Sequence, residues 1–395
     1  MKTLKRSPLP WSLLGVLAAL VALTTHAAGQ VMLSGNETKV DLTGGGPKVI
    51  PGATADADSV TLLDFSQFPP SATHVKGVAN TVVGPPSNIA ISPDGKVALV
   101  ANSIRLDPSA AAGWVPENHV HVLDLTARPP KVIGRAQTDL QPSGIAFAPG
   151  GRTALVANRA GGTVSVLTVD GTNVKQAESV KVCEPAESVS DVAISPDGKL
   201  ALASVQKGGY VAVLKIENGK VTNTGRKVSA YGQPYRVVIT PDGELGLTAG
   251  MGNGNGVDVD CVTVLDLKGG EPRAVDYVPI GASPESIEIS PDGKLLAAVV
   301  MDGSNLAPTD AHHTTAGALV ILERRDRTFA KSQRLPVGRI PEGVAFTGDG
   351  RHLVVQCHPD RQLWLFDVKD GRVTDTGDRI EVPGMPSSLR AAPAR

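Results

Sequence analysis

The chain has few cysteines and few aromatic residues for its length. Of 395 residues, 3 are Cys, 3 are Trp, 4 are Tyr and 6 are Phe. The cysteines, Cys183, Cys261 and Cys357, form no Cys-x-x-Cys or Cys-x-x-Cys-His pattern, which argues against a redox pair and covalent haem attachment. Because their number is odd and they are far apart in sequence, we expect no disulfide. The core must therefore be built from aliphatic side chains.

Charge of one sign is not in excess. The chain has 38 Lys and Arg against 39 Asp and Glu, a formal net charge of -1 at pH 7. Binding along a phosphate backbone needs a positive surface, which this balance does not provide. Beyond the N-terminal segment only Trp114 and Trp364 offer an indole ring, too few to stack a single strand. We therefore expect no nucleic-acid partner.

No apolar run in the chain is long enough to span a membrane comfortably, and the main run lies near the N-terminus. Leu13 to Leu23 is a short apolar run behind Lys2, Lys5 and Arg6, and small residues follow it. This pattern predicts a signal peptide over residues 1–28, with an uncleaved membrane anchor as the alternative. We therefore expect a periplasmic or secreted protein that has no membrane span once the signal is removed.

A short sequence motif recurs through the chain. Ile-Ser-Pro-Asp-Gly-Lys occupies 91–96, 194–199 and 289–294, and variants occupy 147–152, 239–244 and 346–351. Spacings of roughly 45–57 residues indicate a repeat architecture. Within each unit, short runs of alternating apolar residues flank a turn in which Pro, Asp and Gly have separate roles. Four strands in each unit are typical of a propeller blade, so the fold class is all-β.

The two ends of the chain predict one further blade. Residues 386–393 read as a first strand in register with 341–347, and 60–64 resemble a third strand. Sharing a blade between the termini would close the ring and remove an exposed sheet edge. We expect seven four-stranded antiparallel blades over residues 48–395, preceded by an N-terminal extension over 29–47. A six-bladed ring is the alternative.

Two segments carry a family resemblance. Leu155-Val156-Ala157-Asn158 followed by Gly162 to Leu167, and more weakly Leu99 to Asn102, resemble the Tyr-Val-Thr-Asn repeat of bacterial and archaeal surface and periplasmic propellers. That family is similar to the 6-phosphogluconolactonase-like superfamily of seven-bladed β-propellers, which includes lactonases and carboxymuconate-cyclising enzymes, and to the heavy chain of amine dehydrogenases. The resemblance implies the fold, whereas no lactonase motif transfers catalytic residues to this chain.

One candidate site lies where the first strand of each blade begins, at the mouth of the central channel. The polar residues expected there include Asn88, Asp191, Arg236, Glu285 and Glu342. An Arg beside carboxylates could clamp a small carboxylate or phosphate while an acid moves a proton. The alternative is a solvated ring of mutually neutralising charge.

Long loops on the same face, predicted over residues 102–118, 250–260 and 301–317, form a second candidate region. His312 and His313, and His358 with Arg361, could bind a ligand. Adjacent His side chains in an extended loop diverge, so we predict no metal site. The Gly-rich stretch 252–256 with Asp258 offers oxygen atoms to calcium but lacks the spacing of an EF-hand loop.

Three functions follow from these observations. The first is a binding protein of the cell envelope whose entrance face contacts a protein partner or a small anionic ligand. The second is a lactonase-like hydrolase or cyclising enzyme acting on a small anionic substrate at the channel mouth, with Arg236 orienting the anion and Glu285 or Glu342 as acid or base. The third is a dehydrogenase subunit that presents its propeller to a redox partner. We find no cofactor signature.

Overall fold

Seven four-stranded antiparallel sheets form the blades of a propeller in residues 31–393, the part of the chain that the computed structural model describes. The predicted signal peptide, residues 1–28, lies outside this part. In chain order the strands are β1 (Val31–Glu37), β2 (Val40–Asp41), β3 (Lys48–Val49), β4 (Ser59–Asp64), β5 (Ser71–Lys76), β6 (Ile89–Ile91), β7 (Val97–Leu106), β8 (Trp114–Asp124), β9 (Lys131–Gln137), β10 (Pro142–Phe147), β11 (Thr153–Asn158), β12 (Thr163–Asp170), β13 (Asn173–Lys181), β14 (Val189–Ile194), β15 (Leu200–Val205), β16 (Tyr210–Glu217), β17 (Lys220–Ser229), β18 (Pro234–Ile239), β19 (Leu245–Gly250), β20 (Asp260–Asp266), β21 (Arg273–Gly281), β22 (Pro284–Ile289), β23 (Leu295–Val300), β24 (Gly317–Arg325), β25 (Thr328–Val337), β26 (Pro341–Phe346), β27 (His352–Cys357), β28 (Gln362–Lys369), β29 (Arg372–Glu381) and β30 (Met385–Ala391).

Each blade is read from the channel outwards. Blade 1 has the order β30-β1-β4-β5, and blades 2 to 7 take four consecutive strands each, from β6-β7-β8-β9 to β26-β27-β28-β29. Strands β2 and β3 form a separate hairpin. Short 3-10 helices occupy Ala55–Ala57, Pro185–Glu187 and Lys268–Gly270. Within residues 31–393 no helix is long and apolar enough to cross a membrane.

Blade 1 closes the ring as the sequence predicts. Its innermost strand, β30, comes from the C-terminal end and pairs with β1, with Met32 opposite Ala391. The third strand is β4, at the predicted position. One boundary needs correction, because β1 lies inside the predicted extension 29–47 and yet belongs to the blade. Its apolar alternation is interrupted by Ser34, Gly35 and Asn36, which hid it from the pattern analysis.

The recurring Pro-Asp-Gly motif forms a tight turn between the first two strands of a blade. In blade 2, Ser92 donates its hydroxyl to Asp94 at 2.7 Å, the same carboxylate accepts the amide of Lys96 at 3.1 Å, and Gly95 has φ +70°. Equivalent hydroxyl-to-Asp bonds recur in four later blades. The turn glycines also face the turn proline of the preceding blade, as Gly198 faces Pro149. The motif therefore determines both the turn and the packing of neighbouring blades at this position.

The core lies between the blades. Seven clusters of buried aliphatic residues each bridge two neighbouring blades, and together they follow the ring. Successive residues of a middle strand belong to clusters on its opposite faces. In β23, Leu296, Ala298 and Val300 pack towards blade 5, whereas Leu295, Ala297 and Val299 pack towards blade 7. All three cysteines are buried and free.

One predicted loop is a hairpin instead. The sequence predicts a loop over residues 102–118, but β7 continues to Leu106 and β8 begins at Trp114, with these two residues paired. The extension carries Ile104 and Trp114 above the blade. There they join Val40 and Val82 in a small apolar cluster on the entrance face, where the first strands begin.

Candidate functional site

The mouth of the channel on the entrance face is lined by the starts of the seven innermost strands. In blade 3, Pro142 at the start of β10 pairs with Asn158 at the end of β11, so the strand start lies beside the loop that links β11 to β12. The Pro-Asp-Gly turns are at the opposite end of the same strands. The candidate site and the Pro-Asp-Gly turns therefore lie on opposite faces of the propeller.

Two carboxyl groups are buried at this mouth. Glu285 of blade 6 is 6% exposed and Glu342 of blade 7 is 1% exposed. Neither carboxylate oxygen of Glu342 has a hydrogen-bond partner among the described residues. Burial raises the pKa of both groups, and the negative charges of Glu285 and Glu37 raise the pKa of Glu342 further. Two such carboxyl groups cannot both ionise easily, so Glu342 holds a proton in preference to Glu285.

A cation and a phenol stand beside this carboxyl pair. Arg159, in the loop after β11, donates to Ser190 and, at 2.6 Å, to Gln206. Its positive charge lowers the pKa of Glu285, against the larger effect of burial. Its guanidinium carbon lies 5.7 Å from the ring centre of Tyr235. Burial and the charge of Glu285 raise the pKa of the Tyr235 hydroxyl, which therefore stays protonated.

A segment of chain covers the mouth. Residues 79–86, which we call the cover segment, link blade 1 to blade 2 and are largely buried. Its Thr81 carbonyl accepts the side-chain amide of Asn88 at 2.7 Å, and its Val82 amide donates to Glu37. Gly84 packs against Ser143 of blade 3, and its backbone neighbours the hydroxyl of Tyr235 in blade 5. The cover segment therefore contacts Glu37 and Tyr235, two side chains that neighbour the carboxyl pair.

Apolar contacts hold the cover segment in place. Val82 belongs to the small cluster with Val40 and Ile104, against which Val83 and Trp114 pack. The glycine at position 84 has φ +135°, and a Cβ there would lie 2.6 Å from the Ser143 hydroxyl. A larger residue would strain the backbone and collide with blade 3. Glycine is therefore required where the cover segment passes closest to the channel wall.

The predicted partners of Arg236 are wrong in part. Arg236 donates from Nε to the Ile287 carbonyl at 2.6 Å, and it forms an ion pair with Glu288. Among the described residues no hydrogen bond or ion pair joins it to Glu285 or Glu342. The reason is strand geometry, because neighbouring residues point to opposite sides. Glu285 and Glu342 take the second position of their strands and Arg236 takes the third.

Arg236 instead belongs to a deeper layer of charge, which we call the inner belt. It consists of Asp191, Arg236, Glu288 and Arg390. Asp191 is fully buried and accepts the Ser87 hydroxyl at 2.8 Å and the Val237 amide at 3.0 Å. Both arginines bind the same oxygen of Glu288, Arg390 at 3.4 Å. The belt joins several blades across the channel, and burial raises the pKa of Asp191 against the charge of Arg236.

The histidines of the long loops do not converge. His312 is exposed, and its Nδ1 lies 3.5 Å from Asp310. The Nδ1 of His313 instead contacts the Leu306 carbonyl within its own loop at 2.9 Å. His358 is fully buried with its Nδ1 3.0 Å from the Pro386 carbonyl, and burial lowers its pKa to about 4. Arg361 is exposed in the turn between β27 and β28. Of these four residues, only His358 lies beside the mouth, because Pro386 belongs to the start of the innermost strand β30.

The Gly-rich loop is held by its own side chains. Asn253 and Asn255 both donate to Asp258, the latter at 2.7 Å. Asp260 accepts the amide of Ser283 at 3.2 Å. Across residues 31–393, no three side chains of His, Cys, Asp or Glu are grouped so that they could hold a metal ion.

Several residues of the mouth were not foreseen from the sequence. Arg159 directly follows Asn158 of the Tyr-Val-Thr-Asn-like repeat, and Glu288 and Arg390 occupy the fifth and sixth positions of their strands. A period-two count from the known start of β22 would have placed Glu288 on the same side of its strand as Arg236. The cover segment has no periodic pattern, and its course follows from contacts distant in sequence.

Comparison with known proteins supports the fold. No protein-family model matches the chain, and no curated protein matches it. Among solved structures, a Bacteroides uniformis protein described as a candidate 6-phosphogluconolactonase has a TM-score of 0.68 at 19% identity, over 91% of this chain and 98% of that chain. The periplasmic gluconolactonase of Pseudomonas aeruginosa has a TM-score of 0.64 at 20% identity, over 92% and 99%.

A third neighbour has another chemistry. Hydrazine synthase of Kuenenia stuttgartiensis has a TM-score of 0.58 at 24% identity, over 73% of this chain and 78% of that chain. At identities this low the likeness shows the fold alone. The chain thus shares the seven-bladed propeller of 6-phosphogluconolactonase-like proteins, as the resemblance implied, and its activity has to be argued from its own residues.

Proposed function

We propose that the protein is a lactonase-like hydrolase that opens a small polar cyclic ester at the mouth of the channel. The observation that carries the proposal is the buried pair Glu285 and Glu342, whose pKa values are both raised by burial, that of Glu285 to about 8. Such a pair can act as base and acid in mildly alkaline solution, so the rate should rise with pH through about 8 as Glu285 ionises. The fold neighbours named as gluconolactonases support the same class of reaction.

The two carboxyl groups have different roles in this proposal. Glu285 lies within the field of Arg159 and is the base, whereas Glu342 has two carboxylates as charged neighbours and is the acid. Water adds to the ring carbonyl and gives a proton to Glu285. The ring C–O bond then breaks as Glu342 gives its proton to the leaving oxygen, and the product is a single hydroxy acid. The hydroxyl of Tyr235 is a further donor beside the pair.

Entry of the substrate requires the cover segment to move. Glu342 is 1% exposed with the segment in place, so a substrate reaches it only when residues 79–86 lift. Closure of such a segment excludes water from the site during the reaction. A rate limited by this opening would rise when the apolar cluster is weakened, for example by Trp114→Ala.

The test is an assay of lactone opening by the purified chain without residues 1–28. Gluconolactone and its phosphate ester are the substrates, and proton release reports the reaction. We expect Glu342→Gln to lower kcat/KM by about 100-fold or more, the contribution typical of a positioned acid. The neutral amide resembles a protonated carboxyl, so the thermal midpoint should not fall.

Matched controls separate chemistry from folding. Glu178→Gln changes a carboxyl on the outer strand β13, away from the mouth, and should leave the rate unchanged. No turnover of either lactone by the wild-type chain, or a Glu342→Gln variant as fast as wild type, would contradict the proposal.

The second candidate function is binding of a partner protein on the entrance face. Tyr231, Val257 and Val259 are 50%, 50% and 58% exposed on loops of blade 5 at this face. Apolar side chains exposed together on a soluble protein are typical of contact surfaces. If wild type turns over no lactone, this function predicts that Val257→Lys with Val259→Lys abolishes partner capture while Glu342→Gln does not.

Export is part of the proposal. The basic start and the apolar run of residues 1–28 support cleavage of a signal peptide and release to the periplasm or the medium. The test is N-terminal sequencing of the chain recovered from these fractions. Recovery of the uncleaved chain with membranes would favour the anchor alternative.

A further inference from the structure

The channel has a second mouth, among the Pro-Asp-Gly turns. A cavity of about 600 Å³ opens there and is lined by the innermost strands of all seven blades. Its wall is mainly apolar, because the fifth and sixth positions of these strands are occupied by small or aliphatic residues such as Ala146, Ala193 and Ile194, and by Phe147. These four side chains are only partly buried. The volume lies within the range of small-molecule sites.

Two charged residues interrupt this apolar wall. Glu288 and Arg390 both line the cavity, and they are 19% and 21% exposed. Arg390 donates to the Ile89 carbonyl at 3.2 Å and to Glu288 at 3.4 Å, both long contacts. Burial and the charge of Arg236 lower the pKa of Arg390 to about 10, so it stays charged at neutral pH. The guanidinium of Arg390 thus faces a largely apolar cavity, and its own hydrogen bonds to the protein are long.

From this geometry we infer that the turn-side cavity binds a small carboxylate with an apolar body, held by Arg390 and enclosed by the aliphatic wall. This site is separate from the carboxyl pair and is independent of the proposed hydrolysis. The guanidinium fork matches a carboxylate in two parallel hydrogen bonds. The apolar wall contributes burial of the ligand body.

A cationic ligand fits the turn-side cavity less well than an anionic ligand. A cation would have to bind Glu288, but that carboxylate already accepts two guanidinium groups on one oxygen. The other carboxylate of the inner belt, Asp191, is fully buried, and its oxygens accept the Ser87 hydroxyl and the Val237 amide. The belt as a whole is neutral, so the arrangement of free donors, and not net charge, favours an anion.

The test uses three probes of one shape: benzoate, benzylamine and benzyl alcohol. Binding to the chain without residues 1–28 is followed by ligand-observed NMR and calorimetry. For a ligand of this size we expect benzoate to bind with a Kd on the order of 1 mM. Benzyl alcohol and benzylamine should each bind at least about tenfold more weakly, since neither accepts a bidentate bond from Arg390.

Two variants make the test specific. Arg390→Gln removes the guanidinium, and Ala193→Leu fills the cavity without changing charge; each should weaken benzoate binding by about tenfold or more. Ala193→Leu also covers the case in which Arg390→Gln fails to fold. Glu342→Gln, at the other mouth, should bind benzoate as wild type does. Equal binding of the three probes, tighter binding of benzylamine, or benzoate binding retained in Ala193→Leu would overturn the inference.

Discussion

Replacing Gly144 with alanine should destabilise the propeller through one residue of a neighbouring blade. Gly144 lies on β10, and a Cβ at this position would be 1.9 Å from Oδ1 of Asp191 and 2.6 Å from its Cα. Because the backbone of Asp191 is itself too close, rotating the Asp191 side chain cannot relieve the clash. Asp191 would have to move and would lose its bonds to the Ser87 hydroxyl and the Val237 amide, at 2.8 and 3.0 Å.

The expected loss of free energy of unfolding is large for the addition of one methyl group. Forcing extra volume into a packed site costs roughly 1–3 kcal/mol. A hydrogen bond to a buried charged group contributes about 1.5–3 kcal/mol, and two such bonds are weakened. Partial relaxation of the blades reduces the sum, so we expect Gly144→Ala to lower the free energy of unfolding by about 4 kcal/mol.

Thermal and urea unfolding followed by far-UV circular dichroism measure the effect. For a chain of this size the loss should lower the Tm by about 5 °C. Gly134→Ala is the matched control, because a Cβ there meets nothing within 4 Å and Gly134 is not among the positive-φ glycines. Equal stability of the two variants would refute the argument that Asp191 needs the space above Gly144.

Three further predictions concern buried titratable groups. Burial lowers the pKa of His121 to about 4. As pH falls below about 6.5, the unfolded chain therefore binds a proton at His121 before the folded chain does, which destabilises the fold. Between pH 7 and pH 5 the free energy of unfolding, measured by urea titration, should fall by about 2 kcal/mol more in wild type than in His121→Leu. Lys39→Met leaves Glu37 and Asp58 buried without their cation, and it should lower the free energy of unfolding by about 3 kcal/mol or more. Because burial raises the pKa of Glu37 to about 7, this group is neutral at pH 5 and ionised at pH 8, so the loss of stability, measured by urea titration, should be greater at pH 8. The three buried thiols have pKa values raised by burial, so a thiol reagent should label none of them in the native chain and all of them in urea; rapid labelling of the native chain would contradict the described packing.

The repeat and the ring closure could be predicted because their causes are local. The Pro-Asp-Gly turn is made by residues within a few positions, as the bonds of Ser92 and Asp94 show, and such chemistry is visible in sequence. Continuous apolar runs such as Leu295–Val300 likewise indicate strands that are buried on both faces. The position of β30 followed from its register with β26. The strand β1 was missed because Ser34, Gly35 and Asn36 break the apolar pattern.

The site was predicted less completely because its contacts join distant parts of the chain. Glu285 and Glu342 lie at the mouth as expected, but Arg236 was grouped with them although it takes the next position and points to the other side of its strand. Arg159 approaches Glu285 from a different blade. The cover segment depends on Ile104 and Trp114, whose hairpin extension was interpreted as a loop.

The pairing of β30 with β1 has a consequence during synthesis. The partner of Met32 is Ala391, so the second strand of blade 1 is made first and its inner neighbour is made last. Until β30 leaves the ribosome, β1 has an unpaired edge, and blade 7 lacks its apolar contact with Leu389. A chain truncated before β30 would therefore keep an open ring that chaperones and proteases can recognise.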